Sequence, residues 1–325
     1  MKFRTDDRVS KALWARRNAV NDFFGGWEED DVSLLSRFVP LEAPSPSAGE
    51  IVDWLGIRTL HSHYAWLNLD DSASVAIREL PFPDDQVHAE AIEYVALAFA
   101  IDRASNKDDG AFSAMELGAS YAPWAVAAGV LAKRAGLGEI RLCALEASSS
   151  MIPCIREHAE RNSLRQEDGV QLRVVHGAIT PKGGIVYFPK VAVSTDNGAQ
   201  VSISPGDRDY RGLSLQYEAV DGLTFSDLTG GTSRVDFLHI DIQGAEEELL
   251  LEQGFLLTLD SKVSTLFLAT QSRLIEGIAL RQLSRMGWRI VRERPTAYRQ
   301  SERTKDVNGW TLRDGGQLWL NPRFD

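Results

Sequence analysis

The chain has 325 residues, is 44% hydrophobic and 25% charged, and carries a formal net charge of −11. This length suits one large globular domain or a domain with an appendage, and its acidity, with no basic stripe, argues against a nucleic-acid partner, because phosphate backbones are bound mainly by Lys and Arg. Its two cysteines, Cys143 and Cys154, exclude a disulfide scaffold and lack zinc spacing.

Residues 7–24 have helical spacing (Leu13, Val20 and Phe24, with Trp14 and Phe23) and stop at Gly25-Gly26. Residues 31–38 read as a second short helix and 40–49, PLEAPSPSAG, as a linker. Residues 50–66 hold a dense set of contact groups: Asp53, Trp54, Arg58, Thr59, His61, His63, Tyr64 and Trp66. On a strand His61 and His63 would share a face, and the surface reading is favoured for both. Pro81 and Pro83 mark a boundary, so 1–80 is expected to be a mainly helical cap or substrate region and 81–325 the main domain. A helix over 88–103 follows, with Glu90 and Tyr94 one turn apart.

From residue 111 strands alternate with helices. Strands are expected at 112–117, 140–146, 170–176, 235–241, 265–269, 288–292 and 317–320, and helices at 123–135, 150–163, 245–251 and 273–286. This alternation predicts an α/β fold with a doubly wound, mostly parallel seven-stranded sheet. The last two strands have no helix between them, so one should run antiparallel at the edge. Residues 177–234 break the pattern as a β insertion, with strand-like pieces at 185–188, 191–193, 201–203 and 214–220. Within it the polar loop 195–212 is a candidate lid. Arg281, Arg285, Arg289, Arg292 and Arg294 read as a solvated face. The N-terminus lacks an apolar signal core, and the longest apolar runs are too short to span a bilayer. A cytoplasmic protein with no membrane partner is expected, and a homo-oligomer is left open.

Chemistry concentrates at two strand ends. The first strand runs into Glu116-Leu117-Gly118-Ala119-Ser120-Tyr121-Ala122-Pro123-Trp124, a strand, a Gly-containing turn and a helix opening with Pro. The second strand ends in Glu146, where an acid can take both hydroxyls of a ribose. Dinucleotide sites need G-x-G-x-x-G so that the backbone can approach a pyrophosphate. This turn has one of those glycines, which argues against NAD, whereas S-adenosylmethionine (SAM) carries no phosphate. The fourth strand, in VDFLHIDIQGAEEELL, places His239 and Asp241 at a carboxyl end, where ligands of open α/β sheets sit.

ELGASYAPW, the acid of LCALEAS and VDFLHIDIQGAEEELL together resemble the FkbM-type SAM-dependent methyltransferases. That family typically has an E-L-G-A-G-x-G-P-W-like first motif and I-D-x-x-G-A-E on its fourth strand. The segments 219–228 and 268–273 are weaker matches. The resemblance covers about residues 88–325 and implies a Rossmann-like class I fold, SAM as cofactor, and a hydroxyl acceptor on a small molecule or glycan. By position it implies that Glu116, Gly118 and Ala119 line the methionine and ribose side, within the turn that includes Ser120. Tyr121 and Trp124 would close over the cofactor, and Glu146 would hold the ribose. Ala147 and Ser148 would lie against the adenine, with His176, Gly177 and Ala178 bounding its pocket. Asp241 and Gln243 would sit near the methyl group and acceptor.

Three departures stand out. Ser120 and Ala122 replace glycines, His239 stands where many relatives have Lys, and Gln271 replaces a histidine. His239 or Asp241 would remove the acceptor proton. The structural alternatives are a packed histidine and an Asp241 that caps the next helix. No metal site is expected. The competing functional readings are a methyltransferase-like scaffold that has lost SAM, and a Rossmann oxidoreductase.

Overall fold

The computed structural model describes residues 25–82, 87–107, 109–190, 199, 201–202, 216–300, 302 and 308–325. In chain order its elements are α1 (Glu29–Ser36), β1 (Glu50–Val52), β2 (Arg58–Leu60), β3 (Val75–Ala76), α2 (Ala91–Ser105), β4 (Ala111–Leu117), α3 (Pro123–Arg134) and β5 (Glu139–Glu146). There follow α4 (Met151–Arg161), β6 (Val170–His176), β7 (Ala178–Ile179), β8 (Gly184–Pro189), β9 (Tyr217–Leu223), α5 (Phe225–Leu228), β10 (Val235–Ile240) and α6 (Glu246–Leu251). The chain ends with α7 (Gln253–Lys262), β11 (Val263–Thr270), α8 (Arg273–Arg285), β12 (Arg289–Arg294), β13 (Ala297–Tyr298), β14 (Thr311–Arg313) and β15 (Gly315–Leu320).

Seven strands form the central sheet in the order β12-β15-β11-β10-β4-β5-β6. Strands β6, β5, β4, β10 and β11 are parallel, and β15 is antiparallel to both of its neighbours. The doubly wound α/β fold expected from the alternation is the fold observed. The antiparallel strand is not at the edge, however. β15 inserts between β11 and β12, because Gly316, Leu318 and Leu320 take the ladder positions beside both.

Strands β10 and β11 are buried along their whole length, as parallel strands covered on both faces must be. One apolar layer joins α2, α3 and α4 to the sheet and runs on into Trp27, Val32, Leu35, Trp54 and Leu55. The opposite layer joins α5 to α8 through Phe225, Leu249, Phe255, Leu259, Ile275 and Leu283.

The expected helix over 7–24 lies outside the described residues. The rest of the N-terminal region is not mainly helical: it has one α-helix, and β1, β2 and β3 form a small sheet. Residues 61–67 form a 3-10 segment, broken at Tyr64 by φ −116° and ψ 46°. His61 and His63 therefore do not share a strand face. The insertion gives a three-stranded sheet, β7-β9-β8, and most of the candidate lid lies outside the described residues. The helix α7 was not expected, because Gly254 and a run of leucines gave it no clear polar face.

The arginine group is not a uniform solvated face. Arg292 makes a two-pronged pair with Asp31 at 2.7 and 3.0 Å, and Asp31 is 1% exposed. Arg294 is buried and pairs with Glu90. These pairs tie α1 and α2 to the edge strand β12. Removing one partner of a buried pair leaves an uncompensated charge. Arg292→Ala should lower the urea-unfolding free energy by about 3 kcal/mol, and a loss under about 0.5 kcal/mol would show that the pair does not anchor α1.

Candidate functional site

Strands β4 and β10 are neighbours, yet the chain leaves them in different directions, and a cavity of about 380 Å³ opens over their carboxyl ends. That is a ligand-sized volume at a topological switch point. Three buried glutamates hold the turns around it, and two of them, Glu116 and Glu146, line it.

Glu116, 2% exposed, accepts hydrogen bonds from the Trp124 N–H at 3.2 Å and the Ala125 N–H at 2.7 Å. It therefore occupies the N-terminus of α3 from within the sheet. Glu146 accepts from the N–H groups of Ser120 and Ser148, each at 2.6 Å. Glu246, fully buried, accepts from the N–H groups of Ile242 and Gly244, each at 2.7 Å. The turn after β10 is thus held by Glu246, not by Asp241 acting as a helix cap.

Gly118 has φ +79°, and a β-carbon there would overlap the Asp241 carbonyl oxygen. Only glycine lets the two turns approach so closely. Ser120 and Ala122 have φ values of 49° and 60°, so both adopt the left-handed conformation of the glycines they replace. This costs on the order of 1 kcal/mol each.

Asp241 is half-buried, and its Oδ1 accepts from Gln243 and Gln271 Nε2, both at 2.9 Å. Desolvation raises its carboxyl to about 6, against the lowering pull of His239. His239 is 2% exposed and lies between Trp124 and Phe267, with ring centroids 5.4 and 4.9 Å away. Its Nε2 meets Glu93 Oε1 at 3.0 Å. Glu93 is steadied by the Glu90 N–H, which donates to its other oxygen at 3.0 Å.

Of the residues expected from the sequence, Glu116, Gly118, Ala119, Ser120, Tyr121, Trp124, Glu146, Ala147, Ser148, Gly177, Ala178, His239, Asp241 and Gln243 all line this cavity. His176 does not. It stands exposed at the end of the edge strand β6, with Nε2 3.1 Å from the Ala147 carbonyl oxygen.

The N-terminal region supplies a wall that the sequence only hinted at: Asp53, Ile57, Thr59, His63 and Tyr64. The surface reading of His63 is corrected. It is 5% exposed, and its ring lies flat on Tyr121 at 4.3 Å and 10°. His158 links the two parts, with Nδ1 3.0 Å from the Tyr121 carbonyl oxygen and Nε2 3.1 Å from the Thr59 hydroxyl. Glu93 was not singled out from the sequence, which pointed to Glu90 and Tyr94; the structure gives Glu90 to Arg294 and Glu93 to His239.

These residues fit SAM better than a dinucleotide. Each Glu146 oxygen accepts one described hydrogen bond, and an ionised carboxylate has about four acceptor sites, which leaves room for ribose hydroxyls. A pyrophosphate would need the amides at the helix N-terminus, where the Glu116 carboxylate already sits.

No family model matches the chain. A protein named "Putative methyltransferase" from Jannaschia sp. (strain CCS1) is 26% identical over 215 residues, covering 64% of this chain and 72% of that protein. Among solved structures, the METTL16 MTase domain gives a TM-score of 0.38 at 10% identity, over 72% of this chain and 69% of that one. One titled "a putative RNA methyltransferase PH1948 from Pyrococcus horikoshii" gives a TM-score of 0.34 at 11% identity, over 71% and 83% of the two chains.

The expectation of no nucleic-acid partner is corrected by this finding, since a chain matched by fold is titled an RNA methyltransferase. Net charge sums the whole surface and does not describe one local face. Among the described residues no helix is long and apolar enough to cross a membrane. The chain thus has a doubly wound α/β fold and is similar in sequence to a protein named a methyltransferase.

The buried acids set a pH dependence. Desolvation raises Glu116 and Asp53 to about 7 and Glu246 to about 8. Such groups hold their proton more tightly when folded, so the stability they contribute is lost as pH rises through the folded pKa. His158, lowered by desolvation to about 4, acts in the opposite sense, but only below its ordinary 6.5. The calorimetric Tm should therefore fall between about pH 6.5 and pH 8.5. A Tm that rises over this window would contradict the burial of these acids.

Proposed function

We propose that the enzyme methylates a hydroxyl group and belongs with the FkbM-type methyltransferases. The observation that carries this reading is the half-buried Asp241 carboxylate, raised to about 6 and held by two glutamine amides in the lining of the cavity. A hydroxyl must lose its proton as it is methylated, and a base with a pKa near working pH serves that need.

SAM, when bound, supplies an electrophilic methyl group and a neutral leaving group. The chain's own task is positioning. Glu146 holds the ribose, Gly118 and Ala119 face the methionine side, and Ala147, Ser148, Gly177 and Ala178 bound the adenine. Gln243 and Gln271 orient Asp241, whose carboxylate takes the acceptor proton. Asp241 fits that role better than His239, because the imidazole is clamped between two rings with Nε2 committed to Glu93. The motif DIQGAE supports the family assignment, and the relative's name supports methyl transfer in general.

Transfer of a labelled methyl group from SAM to a panel of hydroxyl acceptors, spanning small alcohols, glycans and RNA, tests the reading. Turnover should rise with pH through about 6 as Asp241 ionises. Asp241→Asn should lower kcat by roughly 100- to 10,000-fold with little change in Tm. Unchanged turnover in that variant would remove Asp241 from the reaction.

A further inference from the structure

The cavity wall holds acids and imidazoles but no lysine or arginine among the described residues. The amides that open α3 are already taken by Glu116. The carboxylate of the cofactor's amino-acid half therefore has neither a fixed cation nor that helix N-terminus to meet it. A buried anion without a hydrogen-bond donor is costly, so some other lining group must serve.

His63 has the required features. It is 5% exposed, it lines the cavity, and its Nδ1 is buried with no hydrogen-bond partner among the described residues. An unpartnered buried polar atom is costly, and in a cavity wall a bound ligand can satisfy it. The ring is also held in a fixed plane by Tyr121. Tyr121 lies between the two strained residues Ser120 and Ala122, on the turn whose Ser120 amide reaches Glu146. His63 thus packs on the turn that carries Ser120, whose amide reaches Glu146.

We propose that His63 Nδ1–H donates a hydrogen bond to the carboxylate of the bound cofactor's amino-acid half, so that the N-terminal region completes the cofactor site. This rests on the SAM reading above. Burial lowers the His63 pKa, so the ring acts as a neutral donor rather than a counter-ion.

The test compares S-adenosylhomocysteine with 5′-methylthioadenosine, which lacks the amino-acid carboxylate, by calorimetric titration of the full chain. His63→Phe keeps a flat ring on Tyr121 and removes the donor. It should weaken S-adenosylhomocysteine about tenfold or more and leave methylthioadenosine unchanged, with an unaltered Tm. His63→Asn, which offers an amide donor near the same position, should restore part of the loss. Equal weakening of both ligands, or of neither, would overturn the assignment. Failure of the wild-type chain to bind S-adenosylhomocysteine would instead overturn the cofactor reading on which it rests.

Discussion

Three buried glutamates spend their oxygens on backbone amides, and the geometry of the site depends on them. Glu116 ends a strand and fixes the start of α3. Glu146 ends the neighbouring strand and reaches sideways to the Ser120 amide, so two loops are tied by one carboxylate. Glu246 turns back from α6 to hold the loop that carries Asp241. Each pair of bonds satisfies donors that would otherwise be orphaned at a loop or helix start, and each keeps an acid in a place where burial opposes its charge.

This arrangement determines which ligands the cavity can accept. With Glu116 at the α3 N-terminus, the amides that a dinucleotide's pyrophosphate would need are already taken. The strained turn at Ser120 and Ala122 is then less of an obstacle than its sequence suggests. Tyr121, between them, is stacked by His63 and its carbonyl is met by His158. Contacts from the N-terminal region and α4 offset the cost of two left-handed residues, a role glycine would have filled by itself. The scaffold reading loses its main support, because the turn has the glycine-like conformation that its sequence put in question.

Much of this was legible beforehand, for identifiable reasons. Strands β4 and β10 and the second half of β5 are buried and mainly apolar, so they stood out, and with them Glu116, Glu146 and Asp241 at their ends. Position along a motif could not show where a side chain points. Glu246 lies in the first turn of a helix, where any acid suits the dipole, yet it folds back to bind the turn before the helix. Glu90 and Glu93 have the same chemistry three residues apart, and only packing gives one to Arg294 and the other to His239. His63 read as a surface residue because nothing local in the sequence shows the 3-10 segment and the stacking on Tyr121 that bury its ring. The placement of β15 was hidden because register between distant strands is set by packing and leaves no local mark.

On the function proposed above, the carboxyl edge of the sheet binds SAM and not a dinucleotide. Calorimetric titration of the full chain with S-adenosylhomocysteine, with NAD as control, tests it most directly. The account predicts micromolar-order binding of S-adenosylhomocysteine alone, weakened by about 1–3 kcal/mol in Glu146→Ala through loss of charge-assisted hydrogen bonds to the ribose. Binding of NAD in its place, or of neither ligand by folded protein, would contradict it.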